Sequence, residues 1–432
     1  MNTDRKRNAV LINPPYGGVD DDALEENLGL SYIAGYLRER GIDTAICEMT
    51  GKEPLDTKLA ALHIADVYGI SMYSTAVEST KSIIRHIRRI APAAPIYLGG
   101  PHPSALPEES LAELGADGVI VGEGEAAFYA VVLAANEGNP IGGVIRGEQE
   151  TDLDRIPFPA RDMVERGRFT RRLNGEPCIS MLTSRGCPYS CLHCNSIVMG
   201  GAGVGFRFRS VENVIEEIRL IKELGYRNIR FNDDNFLANP RLHELLAAIA
   251  KEDILFRVFG RVEDYKPDTC ALLKNAGCQM LSAGIESCNP DNLRFLRKHG
   301  MLKYMNHLTA AKERGLAVRA SFMVGLPYDT DASIERYFTE ASGLAIDEYA
   351  VYGLIPYPGT ALYANPEQYN YYITSFDFSR YMQIGKGGES CFVLGYDDGV
   401  NAFTPEDVRR WHRRANELLG NRLKHMRDSA VQ

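Results

Sequence analysis

Short β-rich runs alternate with helical stretches twice along this chain, and that double alternation limits the fold more than any other feature. The first series spans residues 8 to about 136. Apolar runs at Ala9–Ile12, Thr44–Cys47, Val67–Ser71, Ile96–Leu98 and Gly118–Val121 are separated by helix-like segments such as Leu30–Arg40, Thr80–Ile90 and Ala126–Ala135. Strands alternating with helices predict a doubly wound parallel sheet covered on both faces. The second series starts at Ile179, with runs at Ile179–Thr183, Ile229–Asn232, Leu255–Phe259, Met280–Gly284, Val318–Met323 and Tyr349–Leu354. Six β/α units in about 180 residues suit a barrel.

Residues 137–176, between the two series, lack a sustained period and carry IPFPARD, with Pro157 and Pro159. They read as a linker. Beyond Ala364 the alternation stops: Tyr369, Tyr371 and Tyr372 precede a glycine-rich stretch, Gly385 to Gly388. A last helix is expected from Pro405 to about Arg427, behind Thr404 as N-cap. For 432 residues two to three domains are expected. The expected division is 1–136, a linker 137–176, a barrel 177–363 and a C-terminal helical segment 364–432.

Parallel α/β sheets and barrels gather ligands at the carboxyl ends of their strands. In the second series Cys187, Cys191 and Cys194 fall there, as C-x-x-x-C-x-x-C in the run TSRGCPYSCLHCN. Gly186 and Pro188 break that run, which does not fit a buried helix or strand. Three thiolates on one loop can hold three irons of a four-iron cluster and leave the fourth iron open. A ferredoxin would add a fourth cysteine, and a structural zinc site a fourth Cys or His; neither follows at a usable spacing. His193 joining the cysteines around zinc is the competing reading.

Charge and composition narrow the partners. Lys plus Arg number 48 against 57 Asp plus Glu, a formal charge of −9. That argues against a nucleic-acid surface. No apolar run approaches the roughly 20 residues needed to cross a bilayer. The opening MNTDRKRNAVLINPP reads as a charged start and a strand, not a signal peptide. Nine cysteines then point to a reducing cytoplasm. No nucleic-acid or membrane partner is expected.

Further polar motifs follow the barrel strands. Asp233 and Asp234, in FNDDNF, would sit at a barrel rim, where a carboxylate needs solvent, a partner or a cation; an acidic helix cap near Pro240 is the alternative. Arg261, in GRVED, presents a donor fork suited to a carboxylate, and a structural pair with Glu263 or Asp264 competes with that role. The run GGAGVG, Gly200 to Gly205, follows the cysteine loop with no strand before it, so it reads as a flexible cover and not a nucleotide fingerprint. The run Arg409 to Arg414 reads as a solvated helix face with Trp411 turned inward. Cysteines 47, 178, 270, 278, 288 and 391 read as buried thiols.

Taken together these motifs resemble the radical S-adenosylmethionine (SAM) superfamily, in the class with an N-terminal cobalamin-binding-type domain. The resemblance runs from about residue 8 to 363. It implies a partial barrel of six units and an open iron that chelates the amino and carboxylate groups of SAM. Reductive cleavage would then give a 5′-deoxyadenosyl radical. By the same resemblance Asp233 or Asp234 meets the SAM amino group, as Asp-Asp where the family usually has Gly-Gly-Glu. Arg261 would meet the SAM carboxylate, Glu286 and Ser287 of AGIES the ribose, and Gly325 of GLPYDT would lie by the adenine. PYPGT, Pro356 to Thr360, matches the end of the last strand. His193 stands where the family often has an aromatic residue, and imidazole stacks more weakly.

In the first series LINPP, LGLSYIAGYLRERG, GISMYS, GGPHPSALPEE and GEGE resemble the cobalamin-binding-type domain. That makes Ser71, Gly99, Gly100, Gly122, Glu123 and Gly124 candidate cobalamin contacts. There is no D-x-H-x-x-G, so no histidine is nominated as a lower cobalt ligand; His63 and His102 read as a surface and a loop histidine. At least one subgroup keeps this domain without the cofactor, so its presence stays open here.

The implied reaction is hydrogen abstraction from a carbon of a small natural product, with an amino sugar among the candidates. With methylcobalamin the substrate radical takes a methyl group. Without it, a radical beside a hydroxyl loses water, as in the aminoglycoside 3′-deoxygenating dehydratases. Dehydration needs an acid/base group, for which Tyr352, Tyr357, Glu389 and Cys391 are the candidates. A flavodoxin or ferredoxin is the expected electron donor. The competing reading from another class is a non-catalytic cobalamin or iron–sulfur sensor.

Overall fold

The computed structural model describes residues 7–165, 167–196, 205–298, 300–383 and 390–420. Glu389, the stretch Gly385 to Gly388, residues 200–204 of the GGAGVG run and the end of the expected last helix lie outside the described residues. The chain forms two compact units. One contains residues 1–170 with 195–204 and 377–380; the other contains 171–194, 205–376 and 381–432.

The first unit is built on a six-stranded sheet: β1 (Arg7–Asn13), β2 (Thr44–Glu48), β3 (Ala65–Ser71), β4 (Ile96–Gly99), β5 (Gly118–Val121) and β6 (Gly143–Arg146). Its order is β2-β1-β3-β4-β5-β6, and all pairings are parallel. Alternate residues of β1 explain the two-sided cover. Val10 and Ile12 join one apolar cluster with Ile83, Ile84 and Ile87 of the helix Val77–Ile90. Ala9 and Leu11 join another with Leu30, Ala34 and Leu37 of the helix Leu28–Glu39 and Phe128 of the helix Glu125–Asn136. At Gly69 an added β-carbon would meet the Phe128 ring at 2.6 Å, so the close strand–helix approach requires glycine. The order reverses between β1 and β3, and such a switch point opens a crevice at the carboxyl ends of those strands.

The second unit holds an open parallel sheet that curls into a half-barrel. Its parallel strands are β8 (Glu176–Met181), β11 (Asn228–Phe231), β12 (Leu255–Gly260), β13 (Cys278–Glu286), β14 (Ala317–Val324) and β15 (Glu348–Gly353). They lie in chain order, each paired with the next, and β7 (Arg172–Leu173) adds an antiparallel edge to β8. A short hairpin pairs β9 (Ser184–Arg185) with β10 (Arg207–Phe208), just after the first barrel strand. Ile229, Phe231, Phe256, Val258, Leu281 and Val318 form one core with helix residues such as Ile218, Leu245 and Leu273.

Two segments depart from the expectation. The stretch 137–176 is not only a connector, because it supplies β6; this four-residue strand carries too few residues for a period to register. The C-terminal segment is not only helical. Ahead of the helix Pro405–Leu419 it forms an antiparallel sheet of β16 (Tyr371–Ile373), β17 (Leu394–Asp397) and β18 (Ala402–Phe403). Thr404 caps that helix as expected, in a reciprocal box with Asp407, and Trp411 is buried.

Candidate active site

Cys187, Cys191 and Cys194 lie on the loop that leaves the β8–β9 corner, at the carboxyl end of the first barrel strand. All three are free thiols of intermediate exposure. The loop is fastened by one bond to a neighbouring segment and one within itself. Leu192 N–H donates to Leu296 O at 3.3 Å, and Cys194 N–H to Cys191 O at 3.2 Å. Burial pushes the Cys187 thiol up to about 11, and it raises Cys191 as well, where nearby Lys298 and Arg261 act in the opposite sense. Binding iron displaces those protons, and the two cations favour the thiolate form at Cys191. Among the described residues no three His, Cys, Asp or Glu converge as ligands of one ion. Thiols that each serve a different iron of a cluster need not converge on one point.

The Asp-Asp pair after β11 divides its labour. Asp233 is buried and accepts from Thr183 N–H at 3.0 Å, Thr183 Oγ1 at 2.8 Å and Ser184 Oγ at 2.5 Å. It therefore locks the start of the cysteine loop to the end of β11. Burial lifts its carboxyl to about 6 despite those donors. Asp234 is exposed and close enough to Cys187 to bias its proton. Of the two, only Asp234 reaches the surface.

Arg261, just past β12, pairs with Glu263, lays its guanidinium over the Tyr189 ring at 4.1 Å and reaches Cys191 Sγ from Nη1 at 3.8 Å. The structural ion pair with Glu263 forms, and the same side chain lies against the cysteine loop. Glu286 ends β13 with a positive φ of 65°, beyond a register shift at Gly284/Glu286. Its carboxylate accepts from Lys298 Nζ at 2.9 Å, with both side chains buried. His193 Nε2 lies 3.9 Å from the same carboxylate, and burial lowers the imidazole's proton affinity, which favours the neutral ring. A β-carbon on Gly284 would stand 2.3 Å from Glu286 Oε1 and 3.1 Å from Lys298 Nζ, so glycine there makes room for the pair.

Ser287 turns inward to the backbone. Its hydroxyl accepts from Asn289 N–H at 3.1 Å and Asn292 Nδ2 at 3.4 Å. Asn292 then donates to Asp329 at 2.7 Å, and Asp329 accepts from the amides of Gly325 and Leu326, each at 2.9 Å. Gly325, at a φ of 90°, also accepts from Tyr371 Oη at 2.9 Å. Ser287 and Gly325 thus belong to one buried relay that fixes the loops after β13 and β14. Tyr352 is the next-to-last residue of β15 and is buried. Burial raises the Tyr357 hydroxyl, whose ionisation Cys391, Tyr352 and Cys194 would each oppose. Tyr357 is thus within electrostatic reach of Tyr352, Cys391 and the last cysteine, and Glu389 lies outside the described residues.

In the first unit Ser71, Gly99, Gly100 and Gly122 come together at the carboxyl ends of β3, β4 and β5, and Glu123 and Gly124 lead into the helix Glu125–Asn136. A β-carbon on Gly99 would find nothing nearer than Ile120 O at 3.9 Å, so the backbone there is open to a large ligand. At the switch point, buried Asn13 donates to Glu48 Oε1 at 2.7 Å and accepts from Tyr16 Oη at 3.0 Å and Asn27 Nδ2 at 3.1 Å. Asn27 also caps the helix Leu28–Glu39 through Leu30 N–H at 3.2 Å and donates to Ser71 Oγ at 3.4 Å. His102 is buried beside Ser74 at 3.0 Å, with its proton affinity lowered to about 4 by burial.

Residues 181–341 match the radical SAM superfamily, and residues 22–132 match the B12 binding domain. An uncharacterized methyltransferase of Pyrococcus horikoshii is 30% identical over 361 residues, 78% of this chain and 77% of that protein. This chain belongs to the radical SAM superfamily. It is a radical SAM enzyme of the class with an N-terminal B12 binding domain, and its cofactors are a [4Fe–4S] cluster and SAM, with cobalamin added by that domain. The hopanoid C-3 methylase of Methylococcus capsulatus is 28% identical over 357 residues, 78% of this chain and 67% of that protein. The fold resembles the radical SAM methyltransferase TsrM from Kitasatospora setae, solved with cobalamin and a [4Fe–4S] cluster: TM-score 0.71 at 17% identity, covering 96% of this chain and 90% of that one.

The residues present fit these groups. Three thiols with no fourth cysteine on their loop suit an open-iron cluster, and the uncovered backbone of Gly99 at the carboxyl end of β4 suits the approach of a corrin. Sequence reasoning missed Lys298, Asn27 and Glu48. Lys298 gave no signal, because its reach to Glu286 depends on the turn at Arg297, whose φ is 60°. Asn27 three residues before Leu30 was legible as an N-cap.

Proposed function

We propose that this radical SAM enzyme transfers a methyl group, through cobalamin, to a carbon of a small natural product. When bound, the cluster and SAM supply a radical able to remove a hydrogen atom, and methylcobalamin supplies the methyl group. The observation that carries the reading is the pairing, in one chain, of a three-thiol loop at a barrel rim with a parallel sheet whose β4 end leaves the backbone of Gly99 uncovered.

Cys187, Cys191 and Cys194 are the proposed cluster ligands. Asp234 is the proposed partner of the SAM amino group, while Asp233 holds the loop through Thr183 and Ser184. Arg261, beside Cys191, is the proposed partner of the SAM carboxylate, and Glu286 that of the ribose hydroxyls. Ser287 and Gly325 shape the neighbouring loops. Ser71, Gly99, Gly100, Gly122, Glu123 and Gly124 are the proposed corrin-facing positions. A flavodoxin or ferredoxin would deliver the electron. Among the described residues no helix is long and apolar enough to cross a membrane. An amino sugar remains one substrate candidate; the relatives named above support the small-molecule class and no single substrate.

A second reading rests on the Tyr352–Tyr357–Cys391 cluster. Burial raises the Tyr357 hydroxyl and so keeps it a neutral hydrogen-bond donor, which suits positioning a substrate hydroxyl in radical dehydration of a diol. Anaerobic reconstitution with hydroxocobalamin separates the two. Methyl transfer predicts corrinoid absorption that co-elutes with the protein near one equivalent. Protein that sheds the corrinoid while retaining its iron and sulfide supports dehydration instead.

A further inference from the structure

The short helix Pro101–Ala105 follows β4 and ties together the three strand ends proposed to face the corrin. His102 N–H donates to Met72 O at 3.3 Å, just past β3, and Met72 N–H donates to Gly99 O at 2.9 Å. Ser104 Oγ accepts from Gly122 N–H at 3.0 Å, just past β5. The junction is close-packed. A β-carbon on Gly100, where φ is 96°, would stand 2.9 Å from Met72 N and Met72 O and 3.0 Å from Ser71 Oγ. The placing of Ser71, Gly99, Gly100 and Gly122 therefore depends on the placing of this helix.

The helix is anchored through the His102 ring, which is 5% exposed and lies 3.0 Å from Ser74 Oγ through Nδ1. The ring's aromatic partner comes from far along the chain. Phe378 meets it edge to face, with centroids 4.8 Å apart and planes at 74°. Phe378 lies in the stretch 377–380, which belongs to the first unit although the residues on either side of it belong to the second. Asp377 orders that stretch, accepting from Ser379 N–H at 3.1 Å and Ser379 Oγ at 2.6 Å. Ser379 also reaches the loop after β1: a β-carbon on Gly17 would lie 3.8 Å from Ser379 Cβ. Gly17 N–H in turn donates to Thr75 O at 2.9 Å, beside Ser74. Edge-to-face aromatic pairs add stability beyond the area they bury, so Phe378 contributes to holding His102 in place.

We propose that Phe378 is a positioning residue for cobalamin. By packing on His102 it fixes the helix Pro101–Ala105 and, through that helix, the ends of β3, β4 and β5. The inference rests on the cobalamin reading above and adds to it a residue far outside the stretch 22–132 that matches the B12 binding domain.

The test is the rate at which hydroxocobalamin leaves the anaerobically reconstituted full-length protein, read by absorbance after dilution, in wild type, Phe378→Ala and Phe378→Tyr. Phe378→Ala should release the corrinoid about fivefold faster or more, and Phe378→Tyr, which keeps the ring, at about the wild-type rate. Iron content and SAM affinity should match wild type in both variants. Equal release from wild type and Phe378→Ala, or equally fast release from the two variants, overturns the inference and leaves the cobalamin reading standing. Loss of iron or SAM binding from Phe378→Ala marks a general folding defect and overturns the specific role. Wild type that holds no corrinoid overturns the cobalamin reading and this inference with it. If Phe378→Ala does not fold, amide hydrogen exchange of the wild type decides. Bound hydroxocobalamin should slow exchange in residues 101–105 and 377–380 together, and protection of 101–105 without 377–380 overturns the inference.

Discussion

Lys298 Nζ lies 2.9 Å from Glu286 Oε1, and both side chains are almost wholly buried. Lys298 also donates to the carbonyl of Gly284, so one ammonium fixes both the strand end and the carboxylate proposed to meet the SAM ribose. Removing one partner of a buried pair leaves an uncompensated charge, at a cost of roughly 3–5 kcal/mol. Lys298→Met should therefore lower Tm and weaken SAM binding at least tenfold by calorimetry, and Lys298→Arg should restore part of each. A variant with native SAM affinity would show that the pair only holds the fold.

Gly284→Ala probes the same pair with one methyl group. Its β-carbon would fall 2.3 Å from Glu286 Oε1, so the carboxylate must move. Loss of SAM affinity is expected with iron content unchanged, since the methyl group displaces the carboxylate and none of the three cysteines. Iron analysis and SAM titration check both halves.

Asp329 gives a pH signature. Burial pushes its carboxyl up to about 7, although the amides of Gly325 and Leu326 and the Asn292 side chain all donate to it. The folded state thus holds the proton more tightly than the unfolded chain, whose value is near 3.9. The resulting stability is present at low pH and is lost as pH rises through about 7, on the order of a few kcal/mol. Asp329→Asn should flatten the decline in stability between about pH 4 and pH 7, while lowering Tm overall, because its amide faces donors. Parallel denaturant-derived stability curves for the two proteins would contradict this.

Asn27 joins three elements: it caps the helix Leu28–Glu39 and donates to Asn13 and Ser71 at the switch point. Asn27→Ala should cost about 1 kcal/mol as a lost cap. It should also weaken hydroxocobalamin retention, read by absorbance after gel filtration. Unchanged retention would place the corrin away from this network.

The strands of both sheets were legible because each is an apolar run bounded by turn residues, and β1, β8 and β13 lie where their patterns put them. Brevity hid the rest. β6 and the β16–β18 sheet are two to four residues each, too short for alternation to register. At the site, composition named the residues but not their partners. Asp233 and Asp234 are equivalent on paper, and only the fold of Thr183 and Ser184 onto Asp233 separates them. Ser287 looked like a ribose contact, and the turn into Asn289 draws its hydroxyl to the backbone.

The most direct test of the account is SAM cleavage by the anaerobically reconstituted enzyme supplied with a low-potential reductant. Wild type should release 5′-deoxyadenosine, and Cys191→Ala should release none and lose the cluster's electron paramagnetic resonance signal. Equal release from both proteins, or none from wild type carrying a full complement of iron and sulfide, would contradict the assignment of these three thiols.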